Sequence, residues 1–148
     1  MIVTMQCLDT LKGLDVRNIL ITDDDQLYLL DPGLIRREAY HADLARYIVT
    51  HEILFWGSPL FAIGVRPSPH TTESFLTGYS AEEDVLSSKT FKILKLKELL
   101  KHWSMAYTAL RLKQYPLIID SLLRKGYINR FYEGEISPLV DELLTEVS

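Results

Sequence analysis

Near the start of the chain, residues 18–22 ("NILIT") and 27–31 ("LYLLD") are short runs of β-favouring side chains, with "DDDQ" between them. Asp tolerates tight-turn backbone angles and bonds its own neighbours, so the stretch predicts a hairpin with an acidic turn. "DPG" at 31–33 ends the second strand, because Pro lacks a ladder donor and Gly permits unusual angles. Antiparallel pairing sets the start of the first strand beside the end of the second, which directs Asn18 and Asp31 toward one point.

After the hairpin the apolar period lengthens to that of a helix. Residues 41–56 predict one, with Leu44, Ile48 and Phe55 on one face and Ala45, Val49 and Trp56 on another. Apolar residues on most sides predict deep burial. The Gly and Pro content of 57–69 predicts a loop or broken connection. Residues 71–79 predict a short helix capped by Thr71 or Thr72, and 80–88 a polar connection. A long helix is expected over 90–113, where Leu96, Leu99, Trp103, Ala106 and Leu110 recur at spacings of three and four as one buried stripe. Pro116 opens a further helix that Gly126 ends, and Ser137 precedes a last helix over 138–147. Residues 1–12 are of mixed character. The expected fold class is mainly α with a small β-hairpin, as a single domain over 1–148 with the hairpin at about 17–31 and a helical remainder. Such a hairpin is marginal alone and needs a helical layer to lean on.

Composition bounds the class. The chain has 148 residues, 47% of them hydrophobic and 24% charged, which suits one packed core and excludes wholesale disorder. The net charge of -4 gives no global reason to expect nucleic acid or an anionic membrane as partner. A lone cysteine, Cys7, builds no disulfide framework and suits a reducing compartment; it reads most simply as a small apolar filler. No apolar run reaches the length of about 20 residues that a membrane span needs, and the first residues lack the pattern of a secretory signal. The expected location is the cytoplasm.

The chemistry gathers at the hairpin's open end. A carboxylate with an amide oxygen suits Mg²⁺, which takes hard oxygen ligands and keeps its other places for water and phosphate. The plain alternative is that Asn18 and Asp31 are turn and cap residues around a hairpin. "NILITDDDQLYLLDPG" resembles the catalytic hairpin of the kinase-like small-molecule phosphotransferases, the aminoglycoside phosphotransferase and choline kinase superfamily. Asn18 stands at that family's Asn and Asp31 at its metal-binding Asp. "DPG" stands where protein kinases carry Asp-Phe-Gly, and "HADLARYI" matches an Asp-Leu-Ala on the next helix. The resemblance covers about residues 12–79. It implies the C-lobe of a protein-kinase-like fold and a transferase ancestry that moves the ATP γ-phosphate to a small hydroxylated acceptor. It implies ATP and Mg²⁺ as cofactors, Asn18 and Asp31 as the cofactor- and metal-binding residues, and Asp43 as the anchor of the catalytic loop.

The departures from the family are equally specific. Gly13 occupies the position of the catalytic Asp and Leu11 that of the His two before it, so "LKGLDVRN" stands where "HGDxxxxN" is expected. That Asp orients the acceptor hydroxyl or takes its proton, and glycine does neither. Asp15, two residues later, is the carboxylate that a loop shift would bring into the role. The family's Gly-rich loop and strand Lys belong to an N-terminal lobe. Only 17 residues precede Asn18, and no "GxGxxG" or "GxxxxGK" occurs. The expectation is a C-lobe without its N-lobe, inactive alone, with a separate N-lobe polypeptide or another protein as partner. The alternative is a non-catalytic, pseudokinase-like helical module for binding or scaffolding.

Other motifs carry less. His51-Glu52 begins a zinc-protease "HExxH", but Phe55 takes the place of the second ligand. His41 reads as a helix-cap residue, and His70 and His102 lack ligands at metal spacing. No serine sits in "GxSxG". Lys89, Lys92, Lys95, Lys97 and Lys101 form a basic run, relieved by Glu98, that reads as a solvated helix face with an acidic partner or membrane surface as the other option. The aromatics Tyr47, Phe55, Trp56 and Trp103 read as core.

Overall fold

The hairpin forms where the alternation and the acidic turn place it. In a computed structural model, which describes residues 7–11, 15–31, 35–56, 68–79 and 85–145, β2 (Ile19–Ile21) and β3 (Leu27–Leu29) pair antiparallel with Ile19 opposite Leu29 and Ile21 opposite Leu27. The turn closes through Thr22, whose amide donates to the Gln26 carbonyl at 3.0 Å and whose hydroxyl accepts from the Gln26 amide at 3.1 Å. Asp25 takes a left-handed φ of 59°, a conformation that Asp's short polar side chain tolerates better than most.

The mixed segment at the start supplies a strand that the hydrophobic pattern does not predict. β1 (Cys7–Leu11) pairs antiparallel with β4 (Ile35–Ala39), with Cys7 opposite Ala39 and Leu11 opposite Ile35. The result is two separate two-stranded sheets, one nested inside the other along the chain. Asp9 lies opposite Arg37, an oppositely charged cross-strand pair. Gly13, Pro32 and Gly33 lie outside the described residues, as do the connections 57–67 and 80–84.

The chain divides into two compact units, Met1–Phe91 and Lys92–Ser148. In the first, α1 (Ala42–Trp56) carries the core: Ala42, Leu44, Ala45, Tyr47, Ile48 and Val49 are all buried. This is the burial on most sides that its apolar pattern predicts. Its face meets β1 and the 3₁₀ turn Val16–Asn18. Arg46 on α1 pairs with Glu38 on β4 at 3.0 Å, which joins helix to outer ladder. α2 runs Pro69–Tyr79, two residues earlier than the threonine caps suggest. Proline is at home in a first helical turn because its missing N–H would have no partner there. Phe75 stacks on Tyr47 with ring centroids 3.7 Å apart and fixes α2 to α1. The side chains of Phe55 and Trp56, expected in the core, lie outside the described residues.

The second unit is helical. α3 (Lys89–Lys113) ends at Gln114, whose φ of 48° is left-handed, and Pro116 blocks its continuation. Leu94, Leu99 and Leu110 are buried along it; Leu96, Trp103 and Ala106 of the expected stripe are half-buried. The short α4 (Leu117–Ser121) runs into a π-helical segment, Leu122–Asn129, and then α5, Arg130–Thr145. Gly126 therefore does not end a helix, and Pro138 lies inside α5 rather than starting one. The carbonyl that loses its donor to Pro138 is that of Gly134.

Packing explains why these breakers are overruled. Trp103 stacks on the buried Tyr132 with centroids 5.9 Å apart. The Tyr107 hydroxyl bonds to Asn129, and Arg124 lies over the Tyr107 ring. Lys92 pairs with Glu142 at 3.1 Å and Lys95 with Glu135 at 3.9 Å. The order of partners reverses, as antiparallel helices require. Part of the basic run is thus spent on α5 rather than on solvent. Burial also pushes the Tyr132 phenol up to about 12.

Leu99→Ala is expected to cost about 2–5 kcal/mol of stability, the range for a buried leucine truncated in a packed core. Leu117→Ala, at an exposed position, is expected to change it by less than about 0.5 kcal/mol. Urea unfolding followed by circular dichroism measures both.

Candidate functional site

The nested registers determine which residues meet. Extending the inner ladder by one pair sets residue 18 opposite 30, and the Leu30 amide donates to the Asn18 carbonyl at 2.8 Å. The Asn18 side-chain amide then donates to the Asp31 carbonyl at 3.2 Å. The two residues singled out from sequence therefore meet at the hairpin's open end. The Asp31 residue is exposed and Asn18 half-buried, so the point of meeting is open to solvent on the Asp31 side.

Asp15 is tied to a different partner. Its Oδ1 accepts from the Arg17 amide at 3.0 Å and from Arg17 Nε at 2.9 Å, and its Oδ2 accepts from Arg17 Nη2 at 2.6 Å. Its own carbonyl accepts from the Asn18 amide at 2.9 Å. Asp15 thus caps the 3₁₀ turn that delivers Asn18. The bidentate fork is the stronger form of carboxylate recognition, and the bond to Asp15 raises the Arg17 pKa further. A carboxylate gripped by both oxygens is poorly placed to accept a substrate proton.

Asp43 sits in the first turn of α1, where a negative charge complements the helix dipole. Its Oδ1 accepts from the Leu44 amide at 2.9 Å and from the Tyr79 hydroxyl at 2.8 Å. Burial first, and then the Asp43 carboxylate, raise the Tyr79 phenol well above its usual value. The anchoring contact that the structure displays joins α1 to the end of α2. α1 itself backs the 3₁₀ turn, so Asp43 steadies the element on which the turn rests.

His41 precedes α1 with a left-handed φ of 67° and is buried between the rings of Tyr40 and Tyr79. Its carbonyl accepts from the Ala45 amide at 3.0 Å, the first bond of the helix, as its reading as a cap residue anticipates. Burial lowers the His51 pKa. His70 is exposed and lies 3.1 Å from Glu73. The Arg17 fork is the feature that sequence reasoning missed. Its only signal was an Arg two residues after an Asp, and that spacing joins the pair only in a tight turn.

Among the described residues no three His, Cys, Asp or Glu side chains gather in a way that could hold a metal ion. The contact at the hairpin runs from the Asn18 amide nitrogen to the Asp31 main-chain carbonyl; a carboxylate and an amide oxygen are the hard oxygen type that Mg²⁺ takes, with water and phosphate filling its other places. No protein-family model, curated protein or solved structure matches the chain.

The Tyr79 shift gives a pH dependence with a definite sign. The native phenol keeps its proton to higher pH than the unfolded chain does, so its stabilising contribution is complete below about pH 10 and is lost progressively above it. Tyr79→Phe is expected to reduce the alkaline loss of stability, measured by urea unfolding at a series of pH values on either side of about 10.

Proposed function

We propose that this chain carries the phosphate-and-metal end of a kinase-like phosphotransferase of the aminoglycoside phosphotransferase and choline kinase type. In this reading the chain by itself binds Mg²⁺ with ATP and does not transfer the phosphoryl group. The observation that carries the proposal is the bond from the Asn18 amide to the Asp31 carbonyl, which brings the amide and the carboxylate residue to one point. There Asn18 and Asp31 would hold the metal, whose chemistry is to neutralise the charge on the phosphates. Asp43 would brace the surrounding helix through Tyr79. The acceptor class implied by the resemblance is a small hydroxylated molecule. The capture of Asp15 by Arg17, with Gly13 at the position of the expected carboxylate, supports the absence of turnover.

A second reading, a non-catalytic binding or scaffold module of pseudokinase type, draws on a different feature. Leu20, Ile21, Leu27, Tyr28 and Ile35 are exposed on the strands. An apolar surface of this kind fits a hairpin that another protein, such as a separate nucleotide-binding lobe, covers.

Calorimetric titration of the chain with ATP in the presence of Mg²⁺ separates the two. The first reading expects weak saturable binding that falls at least about tenfold in Asp31→Asn, the loss of one charge-assisted contact, with no ADP produced over hours by phosphorus NMR. Binding unchanged by Asp31→Asn removes the hairpin site. Absence of any nucleotide binding favours the second reading, and robust transfer to an added acceptor would sink the inactive assignment.

A further inference from the structure

The turn between α3 and α4 carries an apolar cluster that the hairpin chemistry does not use. Leu112, Leu117 and Ile118 are 78%, 88% and 77% exposed, and Leu122 and Tyr115 are exposed beside them. Single exposed leucines are ordinary, but with Ile119 the residues 112–122 carry six exposed large apolar side chains, the kind of concentration that marks an interaction surface. Charge surrounds it on both sides along the chain. Arg111 and Lys113 flank Leu112 and Lys125 follows Leu122, while Arg124 and the one acid in the segment, Asp120, are paired with each other at 2.7 Å. The segment is therefore locally basic in a chain whose net charge is -4.

Shape decides which occupant fits. Leu117, Ile118 and Ile119 are consecutive positions of one helix, about 100° apart around its axis, and all three are exposed. They do not form a single flat stripe that a facing helix would cover. They leave the short α4 apolar and exposed around more than half of its circumference, just after the left-handed turn at Gln114. A second copy meeting this surface symmetrically would bring like charges together. A lipid interface takes in apolar side chains from every side of a projecting tip, and its anionic headgroups meet the flanking Lys and Arg. We propose that the tip at residues 111–125 inserts its apolar side chains into the surface of an anionic lipid bilayer and holds the protein there without spanning it. Among the described residues no helix is long and apolar enough to cross a membrane, so the contact is interfacial. Tyr115 stands where an aromatic ring sits at headgroup depth.

Sedimentation of the full chain with vesicles of phosphatidylcholine, with and without phosphatidylserine, tests the proposal. The chain is expected to sediment with the phosphatidylserine vesicles, less so as salt rises, and weakly or not at all with phosphatidylcholine alone. The double variant Leu117→Ser with Ile118→Ser, and separately Lys113→Glu with Lys125→Glu, should each lower the partition at least about tenfold. Unchanged circular dichroism spectra and unfolding midpoints would show that these variants remain folded. Absence of binding to phosphatidylserine vesicles overturns the proposal, as does binding that neither double variant weakens. A lipid-free dimer abolished by the Leu117→Ser and Ile118→Ser changes would assign the tip to a second copy instead and equally overturn it.

Discussion

The pairing of β1 with β4 lies outside the pairing of β2 with β3, and at the open end of the inner pair Asn18 meets Leu30 and Asp31. Neither ladder would suffice alone. The inner hairpin has three pairs and gives direction to its strands, but two-stranded ribbons are marginal in water. The outer ladder has five pairs, from Cys7 opposite Ala39 to Leu11 opposite Ile35. Asn18 and Asp31 meet because both ladders agree on where the chain crosses. A shift of either by one residue would move Asn18 away from the Asp31 carbonyl and turn alternate side chains to the opposite face.

The ladders in turn depend on α1. It is buried on nearly every side, and its polar residues are used as fasteners toward its surroundings. Arg46 reaches Glu38 on the outer ladder, Asp43 reaches Tyr79 on α2, and His41 begins the helix from a left-handed conformation. A part-buried ion pair such as Arg46–Glu38 adds little net stability over well-packed apolar groups, and its geometry ties one face of α1 to β4.

What could be read in advance follows the range of the interactions involved. The hairpin is a local object, and the alternation with "DDDQ" announces it. α1 is local too, and its apolar positions are enough to predict its burial. The partner of β1 is residue 35 onward, separated by the whole hairpin, and "IRREA" has no alternation to advertise a strand. The continuous run from α4 through α5 is likewise decided at a distance. A glycine costs a helix about 1 kcal/mol and a proline about 3, and Gly126 and Pro138 read as a stop and a start on that scale. The Trp103–Tyr132 stack and the lysine–glutamate pairs between α3 and α5 offset part of it. Glu98, which relieves the lysine run on paper, is buried and held at 2.7 Å by Lys101; nothing in the run distinguishes it from a solvated glutamate. At the candidate site, Asn18 and Asp31 were legible as a pair because hairpin geometry dictates their meeting. The fate of Asp15 was not, because in an extended run the side chains of residues 15 and 17 would also lie on one face without closing a fork. The 3₁₀ turn makes the difference.

The same site sets how a metal would have to behave under the proposed function. One carboxylate and one neutral amide oxygen carry a single negative charge between them, too little to strip water from Mg²⁺ without help. The triphosphate supplies the missing oxygens and charge, so metal and nucleotide would each raise the affinity for the other. That coupling is reciprocal by thermodynamic necessity. A turn that neutralises its own Asp15 with Arg17 does not add to the negative field. Under the proposed function the site would recognise the metal–phosphate pair and have low affinity for either component alone.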